Sequence, residues 1–296
     1  MPSLKQLFAR QPLLDESMTA MHEVFGTRYD VETFLDGAAT AAFLENDIAR
    51  FVVIAMTPRS GSSLLSFALS QTDGVKGRNE LVKRGGVEWL SWNKAALREE
   101  AAAINAHNPL DLIVHRWKKM EVGAEERLIL KCDSLQFAPL LLVPALRTRL
   151  HVAQSLFLTR ENVLAQAISH YRASKTGYYH SDRPPSDTDI ERDGAPTVAY
   201  DHAAIAAHLK FISQTVMDWE YFFACLGMQP ERLTYEALVA NFQPTLQRVT
   251  AHIGVSSASV PAMADVGQLK IGDGLNDRLA DQFRQACRLD SHRAAL

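Results

Sequence analysis

Two short runs of apolar residues, "FVVIAM" at 51–56 and "SLFLTR" at 155–160, stand out because each is followed at once by a helical pattern of apolar and polar positions. Short continuous apolar runs of this kind read as buried strands. "RLILKCD" (127–133) predicts a third strand, and "ERLTYEAL" (231–238) a fourth that enters a helix. Residues 201–226 predict one long helix capped by Asp201, with Ile205, Ile212, Val216, Trp219 and Phe223 forming a stripe that reads as core packing. Residues 1–46 read as helices ahead of the first strand.

Strands alternating with helices imply an α/β fold: a central, mostly parallel sheet covered on both faces, with ligands bound at the carboxyl ends of the strands. Both strand-turn-helix junctions then face one crevice. The stretch 177–200 is long and polar and contains Pro184, Pro185 and Pro196. It reads either as a lid over that crevice or as a plain surface loop.

The 296 residues are 47% hydrophobic and 22% charged, enough for a sizeable core. A formal net charge of -3 gives no global attraction to nucleic acid or anionic lipid, so an anion site has to be built locally. No run of about 18 apolar residues marks a membrane span, and the amino terminus has no signal-type apolar core. The three cysteines, Cys132, Cys225 and Cys287, are odd in number and far apart. They suggest neither a disulfide framework nor a metal site, and a cytoplasmic location is expected.

The first junction, "TPRSGSS" (57–63), places Arg59, Ser60, Gly61, Ser62 and Ser63 between a strand and a helix. Unpaired N–H groups at a helix amino terminus, small hydroxyl residues and one arginine together suit an anionic group. A nucleotide P-loop of the GxxxxGK[ST] type is not matched, because no lysine follows the glycine. In the second junction Arg160 ends its strand, and Asn162, Gln166 and Ser169 share one face of the following helix. That arrangement lets an arginine and a serine jointly hold a second phosphate. His202 and His208 lie six apart, which is not the spacing of a zinc pair, and no metal site is expected.

The order strand, "TPRSGSS", helix, "LTRENVLAQAISHYRAS", "TYEALVAN" resembles the sulfotransferases that use 3'-phosphoadenosine 5'-phosphosulfate (PAPS), and is most similar to the bacterial trehalose sulfotransferase-like branch. The similarity runs from about residue 51 to 290. The resemblance implies a three-layer P-loop-like fold in a sulfotransferase domain over 47–296, and it does not account for the helical extension over 1–46. It also implies a sulfuryl transfer to a hydroxyl of a carbohydrate or glycolipid-like acceptor, and it is compatible with a homodimer. Arg59 to Ser63 correspond to the grip on the 5'-phosphosulfate, Arg160 and Ser169 to the grip on the 3'-phosphate, and Tyr235 to a residue beside the nucleotide. Arg59 doubles as a catalytic cation.

Glu80 in "GRNE" corresponds to the general base of that branch, with Asp133 at the end of the third strand as the alternative. Many relatives carry lysine in place of Arg59, and the interval from Arg160 to Ser169 is one residue longer than usual, which leaves either Gln166 or Ser169 for the 3'-phosphate. Carbohydrate-binding relatives have a second acidic residue shortly before the base, where this chain reads "KGRNE". Lys76 and Arg78 suit an acidic or phosphorylated acceptor instead, and Lys270 reads as a solvated lysine or a late cation. Two other readings remain at this point: a P-loop-like kinase using ATP, and a non-catalytic module that keeps the nucleotide-binding fold.

Overall fold

The computed structural model describes residues 12–76, 94–177, 198–256, 260–266 and 274–293. In chain order the elements that build the sheet and its cover are α1 (Pro12–Phe25), β1 (Phe51–Met56), α2 (Ser62–Ser70), β2 (Val75–Lys76) and α3 (Pro109–Lys119). After these come β3 (Arg127–Cys132), α4 (Ser134–Phe137), β4 (Gln154–Thr159), α5 (Val163–Thr176) and α6 (His202–Leu226). The last are β5 (Glu231–Thr234), α7 (Tyr235–Ala240), α8 (Phe242–His252) and α9 (Gly274–Arg293).

All four strand pairings are parallel, and the order across the sheet is β2-β3-β1-β4-β5. The four expected strands are present as β1, β3, β4 and β5. The edge strand β2 spans only two residues, too few for any apolar periodicity to announce it.

β1 lies at the centre, so its alternate side chains are buried on opposite faces. Phe51, Val53 and Ala55 join one apolar cluster with Met21 and Phe25 of α1, Ile113 and Trp117 of α3, and Trp219, Phe222 and Phe223 of α6. Val52 and Ile54 join the other, with Leu65 and Leu69 of α2 and Leu246 and Val249 of α8. The result is three layers: helices, sheet, helices. A third cluster, Ile168, Tyr171, Ile205, Leu279 and Phe283, joins α5, α6 and α9.

The chain leaves β1 toward β2, then returns through β3 and crosses β1 to reach β4. The direction of winding therefore reverses at β1, and the carboxyl end of a strand at such a reversal is where open α/β sheets form a crevice. Local signals fix the helices that border it. Asn162 caps α5 by accepting from Ala165 N at 3.0 Å, and Asp201 caps α6 by accepting from Ala204 N at 3.0 Å. Gly177 and Gly227 end these two helices in the left-handed conformation. The Trp219 indole donates to the Met56 carbonyl at 3.1 Å, tying α6 to the end of β1.

Candidate active site

The turn from β1 into α2 occupies Thr57 to Gly61. The backbone N–H of Ser60 donates to the Thr57 carbonyl at 3.1 Å, and Thr57 and Ser60 are fully buried. Arg59 and Gly61 both take positive φ, 64° and 89°, on either side of Ser60. Helix α2 begins at Ser62 with no acidic residue in its first turn. Its first N–H groups have no intrahelical acceptor, and the helix dipole adds positive potential at the same point. The loop thus presents the positive end of a helix beside Arg59 at the carboxyl end of β1.

Tyr235 closes one side of it. An ideal Cβ on Gly61 would lie 2.4 Å from Tyr235 Cδ2, so this ring packs against the glycine backbone. The guanidinium carbon of Arg160 sits 4.1 Å from the centre of the same ring, a cation–π contact. The neighbours of both residues are held as well. The Glu236 carboxylate accepts from the backbone N–H of Glu161 at 3.0 Å, and the Thr234 hydroxyl donates to Glu161 at 3.0 Å. Gly61, Tyr235 and Arg160 therefore form one stack linking the ends of β1, β4 and β5.

Two buried polar atoms in this stack and loop, Arg160 Nε and Ser60 Oγ, have no hydrogen-bond partner among the described residues. A buried donor left in this state costs about 1–3 kcal/mol, so each of these atoms calls for a partner from solvent or from a ligand. An arginine N–H and a serine hydroxyl are suited to an oxyanion such as phosphate.

Helix α5 supplies the other side. Ser169 is half-buried and its Oγ accepts from Arg59 Nε at 3.1 Å. Sequence spacing pairs Ser169 with Arg160, whereas the recorded side-chain contact is with Arg59 of the first loop. Gln166 is buried, and its amide donates to Thr57 Oγ1 at 2.7 Å and to the Pro58 carbonyl at 2.6 Å. Both amide hydrogens are engaged by the first loop. Next to Ser169, the His170 ring lies on Phe211 and approaches His208, with the two Nδ1 atoms 3.1 Å apart. Burial, then His208, then Arg59 push the His170 imidazole down to about 4, so it is neutral at physiological pH.

The remaining sequence expectations fall as follows. Asp133 caps α4 through a reciprocal capping box: its carboxylate accepts from Gln136 N, and Gln136 accepts from Asp133 N, both at 2.9 Å. Tyr171 donates its hydroxyl to the Ala199 carbonyl, and Arg172 donates to Asn276, both at 2.7 Å, so these two side chains join α5 to neighbouring segments. Lys76 pairs with Glu126 at 3.4 Å. Glu80, Arg78, Lys270 and positions 178–197 of the polar loop lie outside the described residues.

Three charged residues are buried among the described ones, Asp111, Lys131 and Asp218, and none carried a sequence signal. Lys131 is 5% exposed near the carboxyl end of β3 and, by alternation with Ile129, faces the side covered by α2. Asp218, also 5% exposed, lies on the buried side of α6 and accepts from Ser134 at 3.1 Å and from Gln214 at 2.9 Å. The apolar stripe of α6 is core as expected, with Ile205, Ile212 and Trp219 fully buried, but Thr215 and Asp218 are buried beside it.

Residues 139–286, half of the chain, match the model of the Stf0 sulphotransferase family. The chain belongs to that family. Arg160, Gln166, Ser169 and Tyr235 of this Stf0 sulphotransferase fall within the matched region, and the loop from Thr57 to Ser63 precedes it. A search of curated proteins returned no match. Among solved structures, the chain is similar to a sulfotransferase from Alicyclobacillus acidocaldarius, with 14% identity over 79% of this chain and 91% of that one and a TM-score of 0.43. Family membership makes this Stf0 sulphotransferase an enzyme of sulfuryl transfer.

Proposed function

We propose that this sulfotransferase takes its sulfuryl group from PAPS and passes it to a hydroxyl of a carbohydrate or glycolipid-like acceptor. The observation that supports PAPS most directly is the pair of buried, unpartnered polar atoms, Arg160 Nε and Ser60 Oγ, flanking a loop with two left-handed residues and the start of a helix. Their chemistry fits an adenosine ligand phosphorylated at two positions. Arg59 and Ser60 to Ser63 would hold the 5'-phosphosulfate end, and Arg160 with Ser169 the 3'-phosphate. Tyr235 would border the nucleotide.

PAPS supplies an activated sulfuryl group on a good leaving phosphate. The contribution of this chain is positioning and charge. Arg59 and the N–H groups at the start of α2 stabilise negative charge that grows on the leaving phosphate. Ser169 orients Arg59 by accepting from its Nε. Glu80 is the proposed general base for the acceptor hydroxyl. Asp133, the other carboxylate considered, is engaged in capping α4.

The division into a 1–46 extension and a 47–296 domain is proposed as a division of sequence, since Met21, Val24, Phe25 and Phe43 share one apolar cluster with β1 and β3. A cytoplasmic setting belongs to the same reading, because Cys225 and Cys287 are exposed free thiols suited to a reducing compartment. No described helix is long and apolar enough to cross a membrane. A homodimer is compatible with the reading.

Calorimetric titration with adenosine 3',5'-bisphosphate, beside ATP with Mg²⁺ and adenosine 5'-phosphate, tests the donor. Tight binding of the bisphosphate alone is expected. Preference for ATP would favour a kinase, and no binding of any of the three would remove the PAPS reading. Labelled PAPS offered to a panel of sugars and glycolipids tests the acceptor. Bisphosphate binding without transfer to any member of the panel would place the acceptor outside sugars and glycolipids.

A further inference from the structure

Gln166 has a job that neither phosphate grip describes. Its side chain is 1% exposed, and its two amide hydrogens are spent on Thr57 Oγ1 at 2.7 Å and the Pro58 carbonyl at 2.6 Å. Those acceptors belong to the two residues just before Arg59, whose φ of 64° is rare for a side chain of its size. A conformation of that kind persists only where the surroundings over-determine it. Helix α5 does so from two points one turn apart: Gln166 holds the backbone leading into Arg59, and Ser169 holds the guanidinium at 3.1 Å.

We propose that Gln166 is a positioning residue that acts through Arg59. It locks the loop of the first anion grip to the helix carrying the second, so that a ligand with both phosphates meets two grips at a preset spacing. The proposal rests on the reading of the site as a PAPS site.

The residue type follows from the contacts. One acceptor is a carbonyl, which only a donor can satisfy, and the other is a hydroxyl, which a donor or an acceptor can satisfy. Glutamine provides both N–H groups without bringing charge into a buried place. Methionine has similar length and no donor. An ionised glutamate would face the Pro58 carbonyl with like partial charge, and only its protonated form can donate. Preorganisation of this kind strengthens the second contact of a two-point ligand because the first contact already delivers it.

Affinities for adenosine 3',5'-bisphosphate and adenosine 3'-phosphate, measured by calorimetry on the full chain, read the lock. The second ligand carries only the phosphate that Arg160 and Ser169 would hold, so the ratio of the two affinities reports the loop. In Gln166→Met the ratio is expected to fall about tenfold while adenosine 3'-phosphate binds nearly as in the wild type. In Gln166→Glu the ratio is expected to recover toward the wild-type value as pH falls from about 8 to about 5.5, since burial raises the carboxyl into that range. The glutamate variant matches glutamine in size and remains the informative arm if methionine prevents folding.

An unchanged ratio in Gln166→Met, or a Gln166→Glu ratio that stays parallel to the wild type across pH, overturns the lock. Equal loss of both ligands in Gln166→Met also overturns it, by marking Gln166 as general packing. Wild-type protein that binds neither ligand overturns the PAPS reading itself, and the lock as stated falls with it, a result distinguishable because it appears before any substitution.

Discussion

The ring of Tyr235 occupies the space that a side chain on Gly61 would need. A Cβ there would stand 2.4 Å from Tyr235 Cδ2, and the backbone at Gly61 already has a φ of 89°. Steric exclusion and backbone conformation both demand glycine, and the same contact places Tyr235 under Arg160. Gly61→Ala is therefore expected to lower affinity for adenosine 3',5'-bisphosphate at least about tenfold, through a shifted loop. Tyr235→Ala combined with Gly61→Ala should restore only part of it, because the φ strain remains and the ring that supports Arg160 and would border the nucleotide is gone. Calorimetry on the single and double variants checks this, and a fully restored double variant would assign the whole effect to the ring.

Ser169→Ala removes the acceptor of the Arg59 Nε hydrogen bond and the proposed 3'-phosphate hydroxyl together. Affinity for adenosine 3',5'-bisphosphate should fall about tenfold, within the range for a hydrogen bond to a charged group. Adenosine 5'-phosphate should lose much less. Equal losses for the two ligands would show that Ser169 acts through Arg59 alone.

The two carboxylates considered for the base separate under conservative substitution. Asparagine caps a helix about as well as aspartate. Asp133→Asn should therefore keep both thermal stability and the rate of sulfuryl transfer from labelled PAPS. Glu80→Gln should reduce the rate by a factor on the order of 10²–10⁴ while adenosine 3',5'-bisphosphate still binds. A rate collapse in Asp133→Asn with donor binding retained would move the base to the end of β3.

His170 predicts a signature in acid. Its imidazole is held down to about 4 by burial and by His208 and Arg59, against about 6.5 in an unfolded chain. Between those values the unfolded state binds the extra proton, so this group's contribution to stability is complete above about 6.5 and is lost as pH falls toward about 4. The drop in melting temperature over that interval should be smaller in His170→Gln than in the wild type. Identical drops would mean that other groups carry the acid sensitivity.

Much of this architecture is legible locally. The strands β1, β3 and β4 are built on short apolar runs with no competing helical period, and Asn162 and Asp201 stand where a helix must be capped. The polar face of α6 was harder to read. Asp218 and Thr215 are buried beside an apolar stripe, and periodicity alone assigns a carboxylate next to such a stripe to solvent. β2 was silent for a different reason: two residues paired to β3 have no pattern of their own.

The family was also legible, because loop, second junction and "TYEAL" occur in an order that resembles sulfotransferases, and the family match over 139–286 covers the second junction and "TYEAL". The partners of individual residues were not. Spacing put Gln166 and Ser169 on one helical face, but could not say that the face meets the first loop.

What the sequence determined by itself is what depends on neighbours along the chain: strands, caps, the left-handed turn that a glycine permits, and the supply of arginine and serine near two strand ends. What only the tertiary structure decided is which of these meet. Arg59 and Ser169 are 110 residues apart, and they touch because β4 lies beside β1 in the sheet. Gln166 turns inward for the same reason. Contacts of that range are set by strand order and by the packing of α5 over the loop, and no local period in the chain encodes either.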